Sequence, residues 1–463
     1  MRSLVHATRR LAIAGALAVT VMLAAGQTAP TTRSIQPAAP QAGAILAPAV
    51  DHHTHVWSLK ASQLVSYTQL PPIELPADLQ TLLDDREELV KAKDYAVLAP
   101  LYTEDAVVLD AMAPIWLQGK EAVTFVAQSL GSFPMTPLAY SVDGNAAHIA
   151  GTYTTGEADK FEHLSNFLLV LRKGLDGKWR IAAETFTPKG PPMPKAATAE
   201  QLVAELDAAG IQRAAVLSVA YWFGGRNAEK AGGDEYANVR AENDWVGEQV
   251  AKYPDRLVAL YSFNPLKDYA VAEIERAAGL PHVKGLKLHL GNSRVDVRNP
   301  EHAEKLRAVF RAANEHRLPI VIHLWTVDKD YGASHSEALL NEVLPAAPDV
   351  VIQIAHMGAS GPGYHSDEAF EVFARAAEAG DPRMKNVYTD VASMVTDDVS
   401  DDTLQLVAKR LRQFGLERVL FGSDRAPGGG NETPKDAWSA FLRLPFTPEE
   451  FRSVAGNVAP YMR

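Results

Sequence analysis

The sequence predicts an α/β protein, a (β/α)8 barrel interrupted after its first strand by a separate α+β unit. Three observations predict it. From residue 196 onward short apolar stretches alternate with helical ones, and with the strand ahead of His53 the strands number eight. Those strands are mostly apolar on both faces, as in a parallel sheet covered by helices. Residues 70–188 follow a different rhythm, helices and then long extended stretches. With 463 residues, two folded units are the natural expectation. A doubly wound open sheet is the runner-up, but no glycine-rich phosphate loop follows the first strand.

Composition narrows the partners. A formal charge of -11 argues against a nucleic-acid backbone as partner and says nothing positive about substrate. There is no cysteine, so any metal must be held by His, Asp, Glu or a modified Lys. The N-terminus reads as an export signal. Arg2, Arg9 and Arg10 precede the apolar run Leu11–Ala25, which is short for a membrane span, and Ala24-Ala25-Gly26 offers a cleavage site before Gln27. This gives a signal peptide over 1–26 and a Pro-, Thr- and Ala-rich linker over 27–43. The mature protein is then periplasmic or secreted, with no stable membrane span.

The first barrel strand is the apolar run Ala44–Val50, leading into Asp51-His52-His53-Thr54-His55. Residues two apart on a strand share a face, so His53 and His55 project together and can hold a divalent metal. Next come the connector Pro71–Pro76 and a helix over Ala77–Lys93, with Leu79, Leu82, Leu83, Leu89 and Val90 roughly on one face. A short helix, Tyr95–Tyr102, leads to the extended Ala106–Leu109. Trp116–Lys120 then opens a helix over Glu121–Leu130. Four extended stretches follow, ending in Asn166–Leu171; Asp176-Gly177 turns the chain and Trp179–Phe186 returns. LYTEDAVVLD, WLQGKEAV and NFLLVLRKGLDGKWRIAAETF resemble the NTF2-like fold of the SnoaL and ketosteroid-isomerase group, over residues 77–187. That resemblance implies small-ligand binding or a homodimer as readily as chemistry. Asp105 reads as a turn carboxylate, and no isomerase residue is carried over.

The barrel resumes over 190–463, joining residues 44–60. Helices are expected at Glu200–Ala209 (stopped by Gly210), Glu235–Lys252, Tyr269–Ala278, Glu301–His316, Ser336–Val343, Asp367–Ala379 and Asp402–Phe414. The strands are Arg213–Val219, Leu257–Phe263, Val283–Leu290, Leu318–Leu324, Val350–Ala355, Asn386–Val391 and Arg418–Gly422.

Barrel active sites lie at the carboxyl ends of the strands. Read there, the sequence offers His53 and His55, then His323, His356 and Asp424 after the first, fifth, sixth and eighth strands. Singly, each histidine has a plain reading as a satisfied barrel residue, and Asp424 as a helix N-cap. The Pro427–Gly430 run argues against a helix starting at Asp424. Lys287 and His289 share the inward face of the fourth strand, where an unpaired lysine is costly. Asp390, after the seventh strand, is its candidate counter-charge. By position, Trp57, Trp325 and Tyr364 line the pocket.

DHHTHVW, KGLKLHLGN, PIVIHLW, QIAHMG and LFGSDRAP together resemble the amidohydrolase superfamily, in the group that includes aminocarboxymuconate-semialdehyde decarboxylase, over residues 45–60 and 195–463. The resemblance implies His53, His55 and His323 as neutral ligands of one divalent metal, zinc first, with Asp424 as carboxylate ligand beside the activated water. It makes Asp424 and His356 the catalytic pair, His356 hydrogen-bonding the water or the developing charge. Some relatives carboxylate a lysine on this strand to bridge two metals; here Lys287 reads rather as a charge partner or substrate contact, with His289, Trp57 and Trp325. The expected function is a metal-dependent hydrolase of an ester, lactone or amide bond of a small organic acid. Non-oxidative decarboxylation on the same site is the alternative, and a non-catalytic ligand-binding protein a third reading. The inserted unit leaves the barrel just after His55, so it is expected to wall the pocket or make a dimer contact beside it.

Overall fold

The strand β1 spans Val50–Thr54 in the computed structural model, which describes residues 47–65, 72–110, 115–129, 134–155, 163–187, 195–396, 398–425 and 433–463. The signal peptide, the linker and the Pro427–Gly430 run lie outside those residues. The histidine motif is therefore the strand itself and not its tail, and all five strand residues are buried. Polar residues tolerate that burial because most of their groups are paired, Asp51 Oδ2 being the exception among them. His52 Nδ1 donates to the Phe421 carbonyl and His52 Nε2 accepts from the Ala459 N–H, while Asp51 Oδ1 accepts from the His53 and Ser423 N–H groups.

In the inserted unit, the helix Ala77–Leu89 tightens into a 3₁₀ turn over Val90–Ala92 and buries Leu79, Leu82, Leu83 and Val90. The short helix Tyr95–Leu98 is capped by the Asp94 side chain. Six strands follow, β2 (Tyr102–Asp110), β3 (Ile115–Gln118), β4 (Met135–Asp143), β5 (Ala146–Thr155), β6 (His163–Lys173) and β7 (Trp179–Phe186), in the spatial order β3-β2-β7-β6-β5-β4. The helix Lys120–Ser129 lies between β3 and β4 in the chain. Trp116–Gln118 corrects the expected helix opening. It pairs antiparallel with Val107–Leu109, and the turn to the helix falls at Gly119, whose φ is +60°. The extended stretches after that helix are four in all, the returning Trp179–Phe186 included. The unit has a core of its own, in which the Arg86 guanidinium and the Tyr102 hydroxyl both donate to the buried Glu184.

The chain leaves the barrel and re-enters it side by side. Trp57 and Ala197 exchange backbone hydrogen bonds of 3.1 and 2.9 Å, and Trp57 Nε1 donates to the Lys195 carbonyl. Beyond this neck come β8 (Arg213–Leu217), β9 (Leu257–Ser262), β10 (Val283–His289), β11 (Ile320–His323), β12 (Ile352–Ile354), β13 (Val387–Asp390) and β14 (Val419–Leu420). With β1 they form an eight-stranded parallel sheet in chain order. The ring closes where His52 N–H donates to Phe421, Asp424 N–H donates to His53, and Thr54 bridges Arg425. This is the predicted (β/α)8 barrel.

The expected barrel helices sit within one residue of their bounds, for local reasons, except that Ser336–Val343 is an α-helix over Ala333–Ala338 continued by a π-helix over Leu339–Val343. Thr198 and Gln201 form a capping box ahead of Ala199–Ala209, which ends at left-handed Gly210. Asn299 caps Pro300–Glu315 and Ser400 caps Asp401–Phe414. The large core lies between strands and helices. A smaller one fills the barrel interior, where Val50, Leu217, Leu260, Val321 and Leu420 meet Ala459 and Met462 of the C-terminal segment.

Candidate active site

An irregularity in β1 sets up the site. Asp51 lies opposite Ala214 and Thr54 opposite Val216, so β1 carries one residue more than β8 across this stretch. The bulge leaves His52 against the C-terminal segment and turns His53 into the mouth of the barrel.

Three imidazoles are held in the same tautomer by oxygen acceptors. Nδ1 lies 3.0 Å from Asp390 Oδ2 in His53, 2.7 Å from the Leu217 carbonyl in His55, and 2.8 Å from the Ala392 carbonyl in His356. An oxygen acceptor requires the proton on Nδ1, so each Nε2 presents a lone pair, that of His53 facing Lys287 Nζ at 3.3 Å. His55 Nε2 is 3.3 Å and His53 Nε2 3.5 Å from Asp424 Oδ1. One ligand atom each from His53, His356 and Asp424 lie within 4.8 Å of one another. His356, expected as a hydrogen-bonding partner, thus also stands at ligand spacing. The His323 ring packs edge-on to His356, with centroids 4.9 Å apart. Its Nε2 is buried without a hydrogen-bond partner among the described residues. Imidazole lone pairs around a carboxylate, that of His323 orphaned, fit a divalent cation.

The electrostatics agree. Burial and the Lys287 charge push His53 down to about 3, and burial pushes His289 and His323 well below the ordinary histidine value. Burial alone would raise Asp424, but the facing imidazoles, His356 first, hold it well below the usual carboxylate range. The backbone is shaped to match. His356 and Asp424 hold left-handed φ of +54° and +53°, as do Met357 and Ser393, a conformation rare outside glycine. Ser393 Oγ donates to Asp424 Oδ2 at 3.1 Å. Arg425 grips Glu205 with two bonds of 2.6 and 2.8 Å and donates to the His55 carbonyl.

Lys287 is buried as expected and is pushed down to about 8 by burial. Its hydrogen bond, 3.3 Å, goes to His53 Nε2. Asp390 corrects the expectation of a direct counter-charge. It attracts Lys287 through space, but its oxygens serve His53, Gln353 and the N–H groups of His356 and Ala392. His289 differs from the other histidines. It N-caps the turn Leu290–Ser293 by accepting from the Asn292 N–H at 3.1 Å, so its Nδ1 bears the lone pair and its Nε2 carries a proton. It is a donor, stacked on His323 with centroids 3.9 Å apart.

These side chains bound a cavity of about 210 Å³, together with Trp57, Val219, Tyr221, Trp222 and Ser360. Trp325 and Tyr364, both expected there, are not among its bounding residues. The Trp325 ring stands edge-on to His323, and Tyr364 borders a second cleft with His365 and Thr396. Trp325 lies two residues beyond the inward His323, where the strand has ended, so alternation no longer governs its direction. Tyr221 and Trp222 went unread in the sequence, although they follow β8 at the same level as the other site residues. Among the described residues, none of 70–188 bounds the cavity.

Fold and site together define a parallel (β/α)8 barrel of the enzyme class, with histidines, a lysine and a carboxylate gathered at its strand ends. A family model described as Amidohydrolase matches residues 50–459, and the chain belongs to the amidohydrolase family. A search of curated proteins gives no match. Among solved structures, the barrel is similar to one described as a probable 2-pyrone-4,6-dicarboxylic acid hydrolase from Acinetobacter baumannii, with 16% identity, coverage of 58% of this chain and 88% of that one, and a TM-score of 0.39. It is also similar to 5-carboxyvanillate decarboxylase from Novosphingobium aromaticivorans, solved with manganese, at 18% identity, 55% and 77% coverage, and a TM-score of 0.37. An NTF2-like protein of unknown function from Pseudomonas putida shares 19% identity, with 24% and 84% coverage and a TM-score of 0.22.

Proposed function

We propose that this protein is a metal-dependent hydrolase that opens an ester, lactone or amide bond of a small organic acid. One divalent cation, zinc first, would be held by His53, His55, His323 and Asp424. The observation that carries this reading is the shared tautomer of His53 and His55, whose Nε2 lone pairs face Asp424 Oδ1 while His323 Nε2 stays unpartnered among the described residues. A divalent cation at such a centre makes hydroxide available near neutral pH and polarises a carbonyl oxygen.

The chain's own residues do the rest. Asp424, kept ionised and steadied by Ser393, takes the proton from the attacking water and later hands it to the leaving group. His356, with its proton tied to the Ala392 carbonyl, orients that water through its free Nε2. His289 Nε2–H donates to an oxygen of the substrate, and the Lys287 ammonium supplies positive charge for a carboxylate. Trp57, Tyr221 and Trp222 exclude bulk water on one side. The buried positive charge of Lys287 also suits the runner-up, decarboxylation, which needs a carboxylate seated in the cavity. The N-terminal residues 1–26 support export to the periplasm or beyond.

Elemental analysis of the purified protein tests the centre. One equivalent of divalent metal per chain is expected, and almost none in His53→Ala; two equivalents would make Lys287 a bridging carbamate. A panel of esters, lactones and amides turned over in ¹⁸O-labelled water then separates the reactions. Label in the product acid supports hydrolysis, whereas release of carbon dioxide with no label incorporated would replace it by decarboxylation.

A further inference from the structure

The C-terminal segment is sewn into the barrel interior. Asn457 Nδ2 donates to the Leu416 and Val419 carbonyls, both at 2.7 Å, and the Ala459 N–H donates to His52 Nε2 at 3.1 Å. Ala459 and Met462 are buried there with the inward residues of the strands. Tyr461 does something more. Its hydroxyl donates to Gln353 Oε1 at 2.6 Å, and the fully buried Gln353 donates from Nε2 to Asp390 Oδ2 at 2.7 Å. Asp390 Oδ2 in turn accepts the proton of His53 Nδ1.

The direction of every bond in this series is fixed. A carboxylate can only accept, so Gln353 must turn its amide nitrogen to Asp390 and its oxygen toward a donor. Tyr461 is that donor, and burial holds its hydroxyl protonated. Without it, Gln353 Oε1 becomes a buried acceptor with nothing to hold it, and the amide keeps its place only through the Nε2 bonds to Asp390 and, at 3.4 Å, to the His52 carbonyl. The bond that pins the Asp390 oxygen facing His53 would then be supported from one end only.

We propose that Tyr461, acting through Gln353 and Asp390, is a positioning residue for the centre, holding His53 in the tautomer that turns Nε2 toward Asp424. The proposal rests on the metal-dependent reading above and adds a remote part of the chain to it. Positioning shells of this kind set metal affinity as well as rate.

The test uses the full-length protein loaded with Zn²⁺ alone and competed against a chromogenic chelator. Wild type is compared with Tyr461→Phe, Asp390→Asn and Met462→Leu, and the thermal melt of each is recorded. Asp390→Asn is expected to weaken Zn²⁺ binding by about 10–100-fold and Tyr461→Phe by about 3–10-fold. Met462→Leu, a volume-conserving change in the same segment, is expected to leave it unchanged. Tyr461→Phe is close to isosteric, so it decides the matter even if Asp390→Asn fails to fold. Wild-type affinity in Tyr461→Phe, or a loss matched by Met462→Leu, overturns the inference while the metal centre stands. If wild type takes up no divalent metal, the metal-dependent reading falls and this inference falls with it.

Discussion

At the scale of single residues, Asp424 and the buried imidazoles carry the functional argument. Asp424→Asn keeps the side chain's shape but removes the proton acceptor. Turnover of a substrate found by the labelled-water panel should fall by about 10²–10⁴-fold with the fold intact. The histidines also make stability depend on pH. His53 is lowered from 6.5 to about 3, and His289 and His323 lie well below 6.5, so the unfolded chain binds protons that the folded chain refuses. The stability these groups contribute is present above about pH 6.5 and is lost as pH falls below it, in His53 down to about pH 3 at about 1.4 kcal/mol per pH unit. Thermal melts of metal-free protein at about pH 7.5 and pH 5 should therefore differ, with the acid sample the less stable; coincident curves would contradict the buried, neutral assignment. The site types were legible in the sequence because chemistry limits ligands to a few residues and the barrel limits them to strand ends. Their tautomers were not, because the acceptors at Leu217 and Ala392 are backbone carbonyls, which any residue type supplies.

Among the elements, the seam between β14 and β1 is the most constrained. A Cβ placed on Gly422 would meet His53 Cβ at 2.7 Å and Ala392 Cβ at 3.2 Å, two atoms of the site and its support. Gly422→Ala should cost about 1–3 kcal/mol by overpacking, read as a lower denaturant midpoint, and should weaken metal uptake by displacing His53. An unchanged midpoint and unchanged metal content would show that the seam is looser than it looks. Most elements could be placed from sequence because apolar runs bounded by capping residues and glycine punctuate the chain. The misses share a cause. β3 was taken into a helix because Trp116–Gln118 gains its strand identity from pairing with β2, a contact local pattern does not encode. β1 was placed too early because its polar residues are satisfied by Phe421, Ser423 and Ala459, each more than 300 residues away.

For the whole molecule, the barrel and the inserted unit keep separate cores and are joined through a neck that pairs Trp57 with Ala197. Replacing residues 66–194 by a short linker should leave a barrel that unfolds cooperatively and still binds metal. Calorimetry and elemental analysis would check both, and a barrel unable to fold would show that the unit is a structural partner. The left-handed backbone at His356, Ser393 and Asp424 has a wider meaning. Glycine would sit there at ease, yet glycine carries no imidazole, hydroxyl or carboxylate. A campaign selecting only for heat tolerance will therefore drift toward glycine at these places and return sturdier proteins that have forgotten their trade.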